Sequence, residues 1–460
     1  ASASAKNTAM GECLAWKAMA YFYLVRIWGD VPIVHNNSSE IAAGDYNNKY
    51  KVKAADVYEY IVMTLEKAID LLPNTNSAGR IDKWGAKGLL AKVYLAKSGI
   101  NCNGNGQRDE NDLAKAAELA KDVIDNSGKK LMEHYADIFR GENNNCEESL
   151  IGWRWTADQL NYTCGNCLTS ELAPSGFCEY QSWGDWTAPS VDLEEAFGVT
   201  PLQNPNSRPA TDERRKATMM MAGDTYSQWW QDKGGFNYIK FLYDKKYAPG
   251  SNDGLQSGTG ANIAKHLYGD DADHIKAFGR SAGKQTSDLS THVLRLADVY
   301  LIYAEAKIGN AGSTTDESAI DAYYQVWHRA RPTLFDKPSS ITLDEVLKER
   351  RLELALEGDY WFDLVRMSYY NVEKAINIIK NQKRNAYNGL GDLYKAYYNK
   401  GNDNGPWNVD ESTMFYDTYT PKPNVTASIF TLPFPQGDVV YNPHLMEEAQ
   451  HVDVREAFSY

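Results

Sequence analysis

Thr342–Met367 reads TLDEVLKERRLELALEGDYWFDLVRM, and its mixture of apolar and charged positions decides the class of fold. Thr342 can accept a hydrogen bond from the orphan amides of a first helical turn, and Glu345 can answer it from three residues on, so a helix is predicted to start here. Leu343, Leu347 and Leu354 share a face that Val346 widens, yet Arg350 and Glu353 fall on that same face. Charges set among leucines need partners. Gly358, free to adopt positive φ, is expected to close the helix before Tyr360, Trp361 and Phe362 open the next apolar segment.

The partners are predicted on a helix over 289–309. Leu294, Ala297, Leu301, Ala304 and Ile308 keep helical spacing while Val293, Leu296, Tyr300 and Tyr303 make the other side apolar, so this helix should be buried on two faces. Arg295, Asp298, Glu305, Arg350 and Glu353 are therefore expected to form an internal ion-pair network that serves architecture, because a buried charge is tolerated only when paired and hydrogen-bonded. Further helices are predicted over 14–28, 53–72, 82–98 (capped by Asp82), 112–127 (capped by Asp112), 316–330, 343–357 and from 360 onward. Four such pairs, with Ala and Tyr at contact positions, suit tetratricopeptide-like stacking, although no strict repeat period is kept.

Several segments together resemble one family. RLADVYLIYAEAKIGNAG, ERRLELALEGDYWFDLVRM and LPFPQGDVVYNPHL, with the earlier AYFYLVRIWGDVPIV and GRIDKWGAKGLLAKVYLAK, resemble the SusD/RagB family of surface glycan-binding lipoproteins of Bacteroidetes, in the family's order from Gly11 to Leu445. The resemblance implies a mostly α, SusD-like fold: one domain over 1–460, with a helical scaffold at 11–128 and 288–370. Loop-rich excursions with short strands are expected at 129–287 and 371–445. It further implies a partner transporter of the SusC type and a lipid anchor in an outer membrane. The first ten residues, ASASAKNTAM, have no hydrophobic signal core, so the anchor is expected outside this sequence.

Composition excludes other classes. Lys and Arg number 48 against 61 Asp and Glu, a formal charge of −13, and no basic block stands out, so nucleic acid is not an expected partner. No apolar run is long enough to span a membrane as a helix. Cys146, Cys164, Cys167 and Cys178 cluster in a way that suggests a disulfide in an exported protein; a zinc site and a redox pair fit the spacing less well. Asn101, Asn103, Asn105, Gly106 and Asp112 imitate the spacing of a calcium loop, but neutral side chains make a plain turn the better reading. Asp270, Asp271 and Asp273 read as a solvated acidic turn. No metal, cofactor or catalytic residue is expected.

Binding chemistry is expected in the excursions. Six of the twelve tryptophans lie between Trp153 and Trp230, and sugars present flat C–H faces ringed by hydroxyls, which aromatic platforms with polar neighbours can hold. Trp183 and Trp186 fit best, followed by Asn161 with Tyr162 and by Trp229 with Trp230, which stand between Gln228 and Gln231. Trp153 and Trp155 alternate with Gly152 and Arg154 as on a half-buried strand and are expected in the core. LIGWRW (150–155) and NYIKF (237–241) read as short strands. The function expected is non-catalytic binding of oligosaccharide or polysaccharide. A protein-interaction scaffold would instead need a groove lined by Tyr58, Tyr94 and Tyr303, and a glycoside hydrolase would need two carboxylates beside the aromatic cleft.

Overall fold

The computed structural model describes residues 2–44, 47–102, 104, 106–157, 165–178, 182–399 and 402–460. Eight helices build the scaffold: α1 Ala3–Trp28, α2 Ala54–Leu71, α3 Lys83–Lys97, α4 Glu110–Asn126, α5 Leu296–Ile308, α6 Glu317–Ala330, α7 Leu343–Glu353 and α8 Asp359–Asn381, the last kinked at Asn371. Each of α1 to α4 packs on the next, and α4 and α6 pack on α5. Their stripes merge into one core in which Ala15, Val57, Ile61, Ala86, Val93, Ala116, Ala297 and Val326 are buried. Within α5 only Tyr300 and Lys307 escape burial, as its two-sided pattern requires.

Local chemistry moves several boundaries. Ser2 accepts from the Ala5 amide and starts α1 earlier than position 14. Asp109, not Asp112, caps α4, accepting from the Asp112 amide at 2.9 Å. The capping box on α7 is present: the Glu345 amide donates to Thr342 Oγ1 at 3.2 Å and the Thr342 amide to Glu345 Oε2 at 2.7 Å. Gly358 does not close α7. The helix ends at Glu353, residues 354–358 turn with Leu356 at φ 63° and Gly358 at φ 88°, and Gly358 instead caps α8.

The start predicted for α5 is likewise corrected. Thr291–Arg295 is a strand, β2, antiparallel to β1 at Ser149–Trp153. Its burial alternates, with His292 and Leu294 in and Thr291 and Val293 half out, so period two wins over period 3.6 for these five residues. The first excursion has its own core of Phe177, Trp229, Trp230, Phe236, Tyr238 and Phe241. Within it Tyr238–Tyr243 is a helix rather than a strand, because Asn237 accepts from the Lys240 amide at 3.0 Å and caps it. Asp270 and Asp273 are not solvated: they form the capping box of a helix at Asp271–Phe278, and Asp273 also accepts from the Trp230 and Gln231 amides. The second excursion begins inside α8 and includes a helix, Leu390–Tyr397, whose Leu390, Leu393 and Tyr394 join the core of the first.

The predicted ion-pair network is present and larger than its five members. Arg350 pairs with Asp298 at 2.5 Å, and Lys92 bridges Asp298 and Asp359. Arg366 and Arg108 both hold Glu305, at 2.5 and 2.7 Å. Arg295 binds Glu148 at 2.5 Å, Glu353 at 2.9 Å and Glu357 at 2.7 Å, while Arg329 spans Glu148 and Glu353 and Arg214 reaches Glu353 from the first excursion. The early turn after Glu353 is what brings Glu357 to Arg295 and to the buried Lys265. Burial, the largest influence, would raise these carboxyls. The opposing cations win, so Glu305 (Arg366, Arg108) and Glu353 (Arg329, Arg295, Arg214) are drawn down to about 2.

Two outcomes are expected. Glu353→Leu leaves three buried guanidiniums short of their carboxylate and should destabilise the protein by about 3–5 kcal/mol in denaturant unfolding; a loss below about 1 kcal/mol would contradict the network's structural role. Glu305 and Glu353 have folded values depressed from an ordinary 4.5, so their contribution is fully present above about pH 4.5 and is lost as pH falls toward 2. Thermal melts should therefore be flat between pH 7 and about 5 and drop steeply below about 4; equal melting temperatures at pH 6 and pH 3 would contradict this.

Candidate functional site

Strand β1 carries the chain from the core to the surface. Glu148 beneath it is clamped by Arg295 and Arg329, Leu150 and Ile151 are buried, and irregular register on both sides of Ile151 precedes the pairing of Trp153 with Thr291. Trp153 and Trp155 share one side of the segment, as alternation predicts, but that side faces outward and not into the core. Trp153 is 42% exposed; its ring lies 4.6 Å from that of Trp16 on α1, tilted 32°, and 6.5 Å from that of Trp155. Trp155 is fixed by its indole N–H, which donates to Thr291 Oγ1 at 3.1 Å. The result is a row of three indoles with open surface.

The row continues along α1. Tyr23, two turns after Trp16, is partly exposed and meets Phe362 edge-on at 5.7 Å, while the Arg26 guanidinium lies 3.6 Å from the Phe22 ring and 3.9 Å from that of Phe362. One turn before Trp16, Glu12 forms a preset polar edge: the Arg80 Nε–H and the Asn76 side-chain N–H both donate to Glu12 Oε1 at 2.7 Å. The hydrogen bond from Arg80 holds Glu12 below the usual carboxylate range.

A second exposed pair lies farther along the excursion. Trp183 is 45% and Trp186 74% exposed, the display expected of them. Their loop is tied down between them: the Gly184 amide donates to the Ala173 carbonyl at 2.7 Å, and a Cβ on Gly184 would meet Leu172 backbone at 2.4 Å, so only glycine allows this approach. Buried Asp185 accepts from the Ser175 amide at 3.0 Å and from the Asn252 side chain at 2.7 Å. The two indoles are thus mounted on a fixed base. Residues 158–164, which connect the Trp155 segment to this loop region, lie outside the described residues, and so do the candidates Asn161 and Tyr162.

Trp229 and Trp230 are placed differently from expectation. Trp230 is 1% exposed with its indole N–H on the Phe177 carbonyl, and Trp229 stacks on Tyr226 at 4.5 Å with Phe177 edge-on at 5.2 Å. Trp230 has no open face and serves the excursion's core, while Trp229, 7% exposed, borders a recess together with Gln228 and Gln231. Of the tyrosines named for an interaction scaffold, Tyr58 is buried, Tyr94 is half-buried and Tyr303, 7% exposed, borders a groove between α4 and α5. No disulfide joins the described cysteines; Cys146, Cys167 and Cys178 are thiols, and Cys164 lies outside the described residues. Among the described residues no cluster could hold a metal ion, and Asp112, in the calcium-like loop, is bound by Lys97 at 2.8 and 2.9 Å. Among the described residues, no helix is long and apolar enough to cross a membrane.

Sequence reasoning missed Trp16 as part of the site. The signal was available: Leu14, Ala18, Tyr21 and Val25 mark the buried stripe of α1, and Trp16 lies off it.

Known proteins agree with this architecture. A sequence profile described as "Starch-binding associating with outer membrane" matches residues 2–95. A SusD-like protein of Bacteroides ovatus is 34% identical over 451 residues, covering 97% of this chain and 75% of that protein. The starch-binding protein SusD of Bacteroides thetaiotaomicron is 25% identical over 418 residues, covering 84% of this chain and 68% of its own length. Among solved structures, one determined with xylogluco-oligosaccharide superposes with a TM-score of 0.79 at 31% identity, covering all of this chain and 84% of that one. A laminarin-binding SusD-like protein shares the fold at a TM-score of 0.57 and 22% identity, covering 82% of this chain and 74% of its own. With the profile described as "SusD family" matching residues 151–450, this chain belongs to the SusD family.

Proposed function

We propose that this chain binds oligosaccharide or polysaccharide without cleaving it and delivers it to a SusC-like TonB-dependent transporter at the outer face of an outer membrane. The observation that carries the reading is the open row of Trp155, Trp153 and Trp16 beside the Glu12–Arg80–Asn76 edge. Flat indoles take the C–H faces of sugar rings, and the fixed polar edge takes hydroxyls. Trp183 and Trp186 offer a second contact, so long chains gain avidity that short ones lack. The starch-binding and xylogluco-oligosaccharide-bound relatives support this chemistry. Delivery and the external location rest on kinship.

The carboxyls beside the aromatic surfaces are engaged by cations, which suits holding: Glu357 and Asp359, which share a recess with Trp153, are bound by Arg295 and by Lys92. A glycosidase needs a carboxyl kept protonated near neutral pH and a second carboxylate beside it. Glu12 is the reverse: its oxygens are occupied by Arg80 and Asn76 and it stays ionised. Asp185, near the second pair, has its oxygens filled by Ser175 and Asn252.

In affinity electrophoresis against a polysaccharide panel, Trp153→Ala should weaken retardation by the recognised glycan about 30-fold, the roughly 2 kcal/mol of a central aromatic anchor. Trp183→Ala/Trp186→Ala should weaken polymer binding more than binding of a short oligosaccharide. Unchanged retardation in all variants would remove both surfaces from the site, and new reducing ends in the wild-type incubation would overturn the non-catalytic reading. Copurification of a TonB-dependent transporter with the tagged chain from its native membranes is expected; purification of the chain alone would contradict delivery.

A further inference from the structure

On the opposite side of β1 from the indole row lies a polar cavity of about 190 Å³, walled by the 76–82 loop, Lys129, Asn144, Asn145 and Ser290. It shares an edge with the row, because Arg80 and Asn76, which line it, are the residues that grip Glu12 one turn from Trp16. At this size it is smaller than the roughly 300–1,000 Å³ of sites that engulf drug-sized molecules, so it suits one sugar ring and not a chain.

The cavity is built and its polar groups are unspent. Arg154 is laid over Gly79, where a Cβ would come within 1.9 Å of its Cδ at φ +82°, and donates to the Ala78 carbonyl at 2.9 Å. The 76–81 loop is held in turn by the Asn76 side chain, which donates to the Ile81 carbonyl at 2.9 Å. Asn144 accepts from the Ser290 amide at 2.7 Å and donates to the Asp288 carbonyl at 2.6 Å, fixing the far wall. Ser290 lies beneath this wall, 7% exposed, with its hydroxyl closed off from solvent. Among the described residues the Lys129 ammonium, which lies near the Asp82 carboxylate, and the Asn145 side chain make no hydrogen bond, and Arg154 makes only the one to Ala78.

The geometry points to a branch site: the backbone of a glycan lies on Trp155, Trp153 and Trp16, and a single pendant sugar residue reaches over the Arg80–Asn76 edge into this cavity. This rests on the glycan-binding reading and names its substrate class, a branched polysaccharide. Asn145, Lys129 and Arg154 supply donors to the hydroxyls and ring oxygen of the pendant residue, while the platform supplies apolar contact to the backbone. A linear chain fills only half of the arrangement.

The test is calorimetric titration with matched pairs: xylogluco-oligosaccharide against its bare gluco-oligosaccharide, arabinoxylan against unbranched xylan, and galactomannan against unbranched mannan oligosaccharides. In the pair that binds, the branched member should bind at least about tenfold more tightly, the worth of two hydrogen bonds of about 0.7 kcal/mol each. Lys129→Gln, Asn145→Ala and Arg154→Gln should each narrow that preference with little change for the bare backbone. Trp153→Ala should weaken both members alike. Equal affinity for both members, or a preference that survives all three cavity variants, overturns the branch site and leaves glycan binding standing. Failure of every pair to bind, with the wild type folded, overturns both.

Discussion

The interaction on which the rest depends is the clasp of Arg295 by Glu148, Glu353 and Glu357. Arg295 ends β2 and leads into α5, Glu148 precedes β1, and the two glutamates come from the end of α7 and the turn after it. Residues remote in sequence are therefore joined at the point where the helical scaffold hands over to the loop-rich part. Arg329 from α6, Arg214 and Lys265 extend the clasp into both parts. Buried charge of this kind is costly to desolvate and often adds little net stability against an apolar alternative. Its value here is geometric: only one arrangement pairs every member.

That arrangement decides where the indoles go. β1 is anchored at its base by Glu148 and paired along its length to β2, so Trp153 emerges at a set height beside Trp16 of α1. The platform thus has one floor from the scaffold and one from the strand that begins the excursion. A surface of this kind is preformed, which limits the ordering cost of binding a flexible chain. Trp183 and Trp186 are held by a different device, the close approach of Gly184 to residues 171–173 and the buried Asp185, so the two aromatic surfaces are fixed independently.

The scaffold was legible in the sequence because helices announce themselves through local periodicity and caps, as at Thr342 and Glu345. Charges inside the stripes of α5 and α7 announced the network in advance. Among its further members, Glu148, Lys92, Arg108, Arg214 and Lys265 come from distant segments, and no spacing encodes such contacts. Alternation correctly placed Trp153 and Trp155 on one side but could not say which side is wet, since that depends on α1 arriving beside them. Trp229 and Trp230 looked like Trp183 and Trp186 by composition. They differ because Phe177, Phe236 and Phe241 close over them, a tertiary fact. Leu294 in the Thr291–Arg295 strand also fits a helical stripe, and pairing with β1 decides between the two periods.

The central claim is that glycan lies across the joint between α1 and β1, and the most direct measurement is a crystal structure with the oligosaccharide that binds most tightly. The account predicts sugar rings stacked over Trp153 and Trp16 with hydroxyls at the Arg80–Asn76 edge. Ligand seated elsewhere, with that surface bare, would contradict it.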